Sequence, residues 1–415
     1  MSRQFGSKRP SHSGRHEPYE RPSERQRPSG QPRSDTHVVA ALNKYFTENV
    51  QLYRTEKDKA AGITRRIVQD ILDKIKEMDP RFKSDIIRLG SFWSGLKVGK
   101  PDEFDVNVAL NITETPRWLE SSELFYLQVS PDDPTKIVRT RVPAPPPPKG
   151  YHRLMIDGNN PVWLRIQYPP LTVDSYYLIP LLVKQAYKIH LKQAVDAIRP
   201  TAKEQVVVLQ KESGPALTIN INYVDSKKNK KQISVDFAPM IQSRMPFPIW
   251  IEWPRPGKAW PSKEKVAKIK EIGINDVPKR DLEWYMSFAE CEKELTKDMD
   301  KEGENTKRKQ IHRIMKKLAS DHWCPETKPV LSSYILKNLL FWECEDYPKA
   351  SHWVNDVMWE RMRSIIGRLL QALSSGSLQH YFYTEIDLLE GKDREKLNAV
   401  IRNIQMFLMN PECYL

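Results

Sequence analysis

The chain has 415 residues, of which 39% are hydrophobic, and a formal net charge of +13. This length allows two or three domains with a buried core, and the excess of positive charge favours polyanionic partners, nucleic acid before an anionic membrane. Its 4 cysteines form no C-x-x-C pair and no apolar run is long enough to cross a bilayer, which excludes a disulfide scaffold and a membrane span and predicts a cytoplasmic protein.

The first segment, residues 1–37, is rich in arginine, proline, serine and glycine and has almost no aliphatic side chains. Such a segment cannot bury enough apolar surface to offset its ordering entropy, so we predict a disordered basic tail. A basic tail of this kind solubilises the chain or captures nucleic acid, and its composition fits both roles.

A long amphipathic helix is predicted next. From Val38 to Met78 isoleucines recur at spacings of three and four, which gives one apolar stripe and makes this helix a spine for the fold. Charges on the other face of a long helix are usually only solvated; the sharper interpretation is that they bind nucleic acid. The candidate nucleic-acid contacts are Lys57, Arg65, Arg66, Lys74 and Lys76.

A mixed β region follows, and beyond Trp250 the chain becomes largely helical. The predicted strands are Glu103–Asn111, Leu124–Val129, Ile137–Val142, Gln205–Leu209, Ala216–Val224 and Gln232–Phe237. The predicted helices are Leu178–Ala197, Lys263–Ile272, Asp281–Lys297, Lys307–Ala319, Val330–Phe341, Val354–Ser374 and Arg394–Met409. We therefore expect an α+β protein of two lobes, with the spine and a mixed-sheet lobe in residues 38–250 and a helical lobe in residues 251–415.

The most informative motif lies at the first of these strands. Gly90 and Ser91 form a turn, and Glu103 and Asp105 follow two residues apart in an alternating run. On a strand both carboxylates project from one face, where they suit a magnesium site, while the turn and the Ser91 hydroxyl suit a phosphate. An E-x-D pair on a strand more often lies on a solvated face, so this pair alone does not establish a metal site.

Asp236 is the candidate third carboxylate, because two metal ions at a triphosphate require about three acidic ligands. It lies in an otherwise apolar strand, where an unpaired buried carboxylate is expensive and a metal would explain it. If its strand pairs beside the strand of Glu103 and Asp105, the three acids share one face. The alternative is a strand-end aspartate that points to water. The segment Gly95–Lys100 lacks the spacing of a phosphate-binding loop.

The order of several motifs resembles cyclic GMP-AMP synthase and the wider male-abnormal family of animal proteins that shares its fold. The similarity extends from Val38 to Leu415, and the motifs that carry it are Gly90–Trp93, Pro101–Val106, Gly214–Ala216, Ser234–Asp236, Trp284–Phe288, Glu292–Leu295, Ser332–Lys337, Trp342–Pro348 and His380–Phe382. The resemblance implies a bilobal nucleotidyltransferase fold and a cGAS-like receptor, an innate immune sensor that makes a cyclic dinucleotide from two nucleoside triphosphates, ATP and a second one such as GTP.

The resemblance also implies roles for individual residues. Glu103, Asp105 and Asp236 would bind two Mg²⁺ or Mn²⁺ ions, and Ser91 would contact a phosphate. In the helical lobe, Lys316 and Lys337 fall on lysines that hold the triphosphate. The remaining nucleotide contacts implied by the family are Ser333, Tyr334, whose ring would stack on a base, and Glu292.

Three departures from the vertebrate enzyme change the expected ligands. Residues 296–306, where that enzyme has a zinc thumb, contain neither Cys nor His, so no zinc is expected. Zinc-less animal relatives include sensors of double-stranded RNA, which makes RNA the expected activator ahead of DNA, with dimerisation on the ligand as an option. Tyr285 stands where that enzyme has a guanine-contacting arginine, and Ala238 replaces a threonine beside Asp236, so the bases of the product stay open.

Two other classes of function fit the same motifs. A catalytically silent family member could act as a developmental or scaffold protein, although such relatives often lose the Gly-Ser turn or one of the acids. A template-independent synthase of linear oligonucleotides would share the turn and the acids and differ in its product. Binding of ATP or GTP with metal separates the first class, and the linearity of the product separates the second.

Overall fold

The computed structural model is an α+β protein with two hydrophobic cores. It describes residues 33–52, 54–112, 117–119, 125–129, 137–143, 147–156, 172–173, 177–198, 204–213, 216–225, 228–297, 299–301, 305–326 and 329–415. Most of the predicted tail and residues 214–215 of the quoted motifs therefore lie outside the described residues.

Ten helices occur in the described part of the chain. They are α1 (Arg33–Tyr45), α2 (Arg54–Met78), α3 (Gly90–Trp93), α4 (Pro180–Ile198), α5 (Lys263–Ile272), α6 (Ala289–Lys297), α7 (Arg308–Leu318), α8 (Ser333–Asp346), α9 (Met358–Ser375) and α10 (Arg394–Met409). Helix α1 begins inside the range predicted as a tail. Its last turn widens into a π-helical turn, Phe46–Val50.

The prediction of one continuous spine helix was wrong, because the helix is interrupted between α1 and α2. Gln51 has extended backbone angles, φ −72° and ψ 130°. The break follows a change of partner: Leu42 and Val50 are buried in the core of the helical lobe, whereas Ile67 and Ile71 are buried against the sheet. One straight helix cannot present its apolar stripe to two cores that lie in different directions.

Thirteen strands occur in the described residues. They are β1 (Ile87–Leu89), β2 (Glu103–Ala109), β3 (Arg117–Leu119), β4 (Phe125–Val129), β5 (Ile137–Pro143), β6 (Tyr151–Met155), β7 (Thr172–Val173), β8 (Tyr177–Leu178), β9 (Gln205–Ser213), β10 (Ala216–Val224), β11 (Lys230–Met245), β12 (Ile274–Val277) and β13 (Trp284–Ser287). Strands β4 and β5 pair with each other, and the other strands form one mixed sheet in which β11 lies between β2 and β12 and also pairs with β10.

The sheet continues past the predicted boundary at residue 250, because β12 and β13 lie within it, between β11 and β6. The predicted helix Asp281–Lys297 was accordingly wrong in its first half. Trp284 and Met286 are buried while Tyr285 and Ser287 are half-buried, the period of two of a strand rather than of a helix. Tyr285 pairs with Tyr151 on β6, and only α6 is helical within that range.

Each lobe encloses its own core. Helices α2 and α4 cover one face of the sheet and bury the isoleucine stripe of α2 with Phe104, Val106 and Val235. Helices α6 to α10, with α1, enclose the second core. The strand ends that carry Glu103 and Asp236 and the helices that carry Lys316 and Lys337 therefore belong to different cores, so a site between them combines groups from both lobes.

Candidate active site

The three acidic residues lie on one face of the sheet. Strands β2 and β11 run parallel, with Asp236 directly opposite Asp105 and Ser234 opposite Glu103. Residues opposite each other in a parallel pair point to the same face, and the intervening Phe104 is fully buried on the other face. The pairing on which the position of Asp236 depended is therefore present.

Mutual repulsion and burial define the electrostatics of these acids. Burial, together with the charges of Glu103 and Asp236, raises the pKa of Asp105 to about 6. Burial also raises the pKa of Asp236, although Thr218, whose hydroxyl donates to Asp236 Oδ1 at 2.6 Å, opposes the rise. Lys97 and Lys337 oppose the rise for Asp105 but do not cancel it, so a further positive charge beside these acids would favour their ionised forms.

The Gly-Ser turn closes over Asp105. Gly90 has a φ of +81°, in the left-handed region that glycine tolerates best. A Cβ at this position would lie 1.7 Å from Asp105 Oδ2, so no other residue fits without moving the carboxylate. Ser94 Oγ donates to the carbonyl oxygen of Gly90 at 2.8 Å and holds the turn. Ser91 lies half-buried in the same short helix, α3.

Glu103 is engaged differently from the other two acids. The ammonium of Lys97 lies 2.7 Å from Glu103 Oε2 and 3.4 Å from Asp102 Oδ1. Burial alone would raise the pKa of Glu103, but the hydrogen bond and charge of Lys97, with the charge of Lys316, hold it below its usual range. Within the described residues no three His, Cys, Asp or Glu side chains are grouped as metal ligands.

The donor set nevertheless fits a divalent cation. Asp105 and Asp236 supply carboxylate oxygens from adjacent strands, and Glu103 lies two residues along β2 on the same face. Hard cations such as Mg²⁺ and Mn²⁺ prefer oxygen ligands of this type. Because Lys97 is paired with Oε2 of Glu103, a cation bound by this acid would share its carboxylate with the lysine ammonium.

Lysines of the helical lobe face these carboxylates from the other side. Burial and the charge of Lys97 lower the pKa of Lys316 on α7 to about 8, and the charges of Glu103 and Asp105 oppose this shift. Lys337 of α8 in turn opposes the rise in the pKa of Asp105. Lysine ammonium groups next to a group of carboxylates can neutralise a polyphosphate as point charges.

A buried polar cluster lies behind Lys337. The Lys337 ammonium is 2.5 Å from Glu292 Oε2 and 4.9 Å from the centroid of the Tyr334 ring. The Tyr334 hydroxyl is hydrogen-bonded to His380 Nε2 at 2.7 Å. Burial lowers the pKa of His380 to about 4, so this imidazole is neutral near pH 7. Ser333 is exposed at the start of α8.

The structure thus brings Glu103, Asp105 and Asp236 together with Lys316 and Lys337. Tyr334 and Glu292 lie in the polar cluster, and their contact with a nucleotide stays a prediction. The predicted site residues did not include Lys97, Thr218 or His380. Lys97 lies in the segment excluded as a phosphate-binding loop. Only the quoted His380–Phe382 motif drew attention to His380.

The basic residues of α2 do not form one uniform surface. Arg66 is 2.7 Å from Glu204, and Lys74 is 2.6 Å from Glu77. Lys57 lies over the Phe92 ring at 5.7 Å from its centroid. Arg65 and Lys76 are exposed and have no acidic partner within the described part of the chain. These two are the better candidates for contact with a polyanion.

In residues 296–306, where no zinc is expected, Asp300 has a structural role. Its Oδ1 accepts hydrogen bonds from the Thr306 hydroxyl at 2.7 Å and from the Arg308 backbone N–H at 2.9 Å. Its Oδ2 accepts from the Lys309 backbone N–H at 2.7 Å. A carboxylate at the N-terminus of α7 accepts hydrogen bonds from otherwise unpaired N–H groups and interacts favourably with the positive end of the helix dipole.

No helix in the described residues has the length and apolar character that a bilayer span requires.

Residues 92–298 match the Mab-21 protein nucleotidyltransferase domain, and residues 307–406 match the Mab-21 protein HhH/H2TH-like domain. The chain is 26% identical over 398 residues to Protein mab-21-like 3 of Danio rerio, an alignment that covers 90% of this chain and 98% of that protein. It is 25% identical over 357 residues to Protein mab-21-like 3 of Xenopus laevis, which covers 84% and 89% of the two chains. The two domain matches together span well over half of the sequence, and the chain belongs to the Mab-21 family and carries its nucleotidyltransferase domain.

Proposed function

We propose that this chain is a nucleotidyltransferase that uses Mg²⁺ or Mn²⁺ and joins two nucleoside triphosphates into a cyclic dinucleotide when double-stranded RNA binds. The observation that supports it most is the in-register pairing of Asp105 with Asp236, with Glu103 two residues away on the same face. The match to a nucleotidyltransferase domain supports nucleotide substrates.

In this proposal each group at the site has a separate task. Glu103, Asp105 and Asp236 hold the metal ions, which would align a 3′-hydroxyl with an α-phosphate and neutralise developing charge. Lys316 and Lys337 neutralise the triphosphate. The Gly90–Ser91 turn keeps the Asp105 carboxylate in place and offers backbone N–H groups to a phosphate.

The activating ligand is proposed from charge. The net charge of +13 and the exposed Arg65 and Lys76 on α2 suit a phosphate backbone. We favour double-stranded RNA over DNA because residues 296–306 contain neither Cys nor His. Such a duplex would be recognised by its shape and phosphates rather than by its sequence.

The bases of the product are left to experiment. Tyr285 stands where the vertebrate enzyme has an arginine, and the ammonium of Lys279 lies 3.5 Å from the centroid of the Tyr285 ring. A pocket with Tyr285 and Lys279 in place of that arginine supplies a cation at a new position. We therefore propose ATP and GTP as substrates and do not assign GMP-AMP as the product.

The test is an assay with all four NTPs, Mn²⁺ or Mg²⁺, and a panel of RNA and DNA duplexes, with products identified by mass spectrometry. Glu103→Ala combined with Asp105→Ala should abolish product. Glu56→Ala combined with Asp58→Ala, which removes the same E-x-D pair from an exposed helix, should not. Unchanged product in the first double variant would refute the proposal, and a linear product would favour an oligonucleotide synthase.

A catalytically silent family member is the second candidate. It is favoured by the ion pair of Glu103 with Lys97 and by the absence of a grouped three-ligand metal site among the described residues. The relatives named mab-21-like 3 accord with this candidate as well as with an enzyme. A silent pocket should show no metal-dependent rise in melting temperature with ATP or GTP, whereas an active one should.

A further inference from the structure

We propose that Lys97 acts as an internal cation that competes with the divalent metal for Glu103 and holds the ligand-free enzyme in a state of low metal affinity. The inference rests on the proposed function in one respect, that the three carboxylates bind a metal. It adds a regulatory residue that belongs to the loop between α3 and β2.

The lysine ammonium contacts a carboxylate that the proposed metal would also bind. Lys97 Nζ is 2.7 Å from Glu103 Oε2, and the Lys97 side chain is only 9% exposed. An ammonium buried to this degree requires an acidic partner, because an unpaired buried charge is strongly unfavourable. A divalent cation ligated by the Glu103 carboxylate would lie close to this ammonium, so the two positive charges repel each other and compete for the same acid.

The backbone of Lys97 is anchored to the helical lobe. Arg313 of α7 donates from Nε to the carbonyl oxygen of Lys97 at 3.0 Å and from Nη2 to the carbonyl oxygen of Val50 at 2.9 Å. Val50 lies at the break between α1 and α2. One guanidinium therefore connects the spine, the helical lobe and the loop that carries Lys97.

This anchorage determines how the ion pair can open. Gly95 and Gly99, with φ of +73° and +75°, flank the lysine on either side and permit backbone rotations that other residues resist. A ligand that moves the α1–α2 break shifts the carbonyl oxygen of Val50 and, through Arg313, the loop. Such a ligand favours the metal-bound state to the extent that it binds better when Lys97 has left Glu103.

The first experiment measures Mn²⁺ affinity by electron paramagnetic resonance in the absence of nucleotide and RNA. Lys97→Met should raise the affinity about tenfold, because a neighbouring opposite charge typically shifts such an equilibrium by about one unit or more on a logarithmic scale. Lys100→Met, which removes an exposed lysine from the same loop, should leave it unchanged. Equal affinities in wild type and a folded Lys97→Met variant would overturn the inference.

A second experiment uses the wild-type protein and so does not depend on the folding of a variant. Amine-reactive labelling with mass spectrometry should show that Mn²⁺ increases modification of Lys97 several-fold while Lys100 is unaffected. Labelling of Lys97 that does not change at saturating Mn²⁺ would contradict competition.

The two proposals can fail separately. If Lys97→Met binds Mn²⁺ more tightly but no variant forms product from NTPs, the competition stands and the enzymatic proposal fails. If wild type forms product while the Mn²⁺ affinity and the labelling of Lys97 do not respond, the enzymatic proposal stands and the competition is wrong.

Discussion

Asp105 and Asp236 lie directly opposite each other on parallel strands β2 and β11, although more than a hundred residues separate them in the chain. Each carboxylate contributes to the field of negative charge at this point of the sheet, and together with burial this raises the pKa of Asp105 to about 6. A cation beside these carboxylates would relieve their repulsion, so its binding should depend on the ionisation of Asp105.

The first prediction concerns pH. Because the folded-state pKa of Asp105 is raised from 3.8 to about 6, its protonated form favours the folded protein, and this contribution is complete below about pH 4 and lost as pH rises through about 6. A metal ion binds only the ionised form. We expect Mn²⁺ to raise the melting temperature more at pH 7.5 than at pH 5.5, where the proton competes.

Asp105→Asn provides the control for this prediction. It removes both the proton and a ligand, so Mn²⁺ should stabilise this variant weakly at either pH. A wild-type response to Mn²⁺ that is equal at the two pH values would show that Asp105 does not control metal binding.

The second prediction concerns the turn. Gly90→Ala places a methyl group 1.7 Å from Asp105 Oδ2, which forces the carboxylate or the turn to move, and we expect at least a tenfold loss of Mn²⁺ affinity. Gly257→Ala is the matched control, since Gly257 lies outside this site and has a similar φ of +74° but no atom within 4 Å of its added Cβ. Both variants should lose about 1 kcal/mol of folding stability through backbone strain. Isothermal titration with Mn²⁺ checks the difference, and equal losses would show that strain alone acts.

The third prediction concerns nucleic acid. Arg65 and Lys76 are exposed on α2 without acidic partners in the described residues. Charge reversal at both positions should weaken binding of double-stranded RNA and reduce the slope of log affinity against log salt by about 2. Reversal of the exposed Lys349 and Lys392 of the helical lobe should have no such effect on fluorescence-anisotropy titrations. Equal effects of the two double variants would place the RNA elsewhere.

The fourth prediction concerns the end of the spine. Asp79 is 1% exposed, and its carboxylate accepts hydrogen bonds from Arg81 and lies 3.1 Å from His190 Nε2 on α4. Burial alone would raise its pKa, but the hydrogen bonds with His190 and Arg81 outweigh burial and lower it to about 2. The stability from this group is therefore present above about pH 4 and lost as pH falls through about 2.

Asp79→Asn should reduce the free energy of unfolding by about 3 kcal/mol at pH 7, because it also leaves buried Arg81 without its acidic partner. The difference from wild type should shrink at pH 3. Urea unfolding measures both values, with exposed Asp85→Asn as the control. A loss that is the same at pH 7 and pH 3 would argue for packing rather than charge.

Local sequence patterns predicted several elements with their observed bounds. Helices α5 and α10 and strand β10 occupy the predicted residues, because their apolar spacing and the caps Ser262 and Asp393 are local signals. The strand Trp284–Ser287 was missed, since it is defined by pairing with a partner more than a hundred residues earlier, and short apolar runs do not distinguish strand from helix.

The sequence by itself determined the acidic character of the site, its Gly-Ser turn and the amphipathic faces that build the lobes, because these depend on residue type and local spacing. Only the tertiary structure decided that Asp236 joins Asp105, that the spine divides between two cores, and that Lys97 holds Glu103. The first two arise from contacts between residues that are far apart in the chain, whose separation in sequence carries no information about their distance in space. The ion pair of Lys97 in particular depends on the path of a loop that Arg313 fixes from the other lobe.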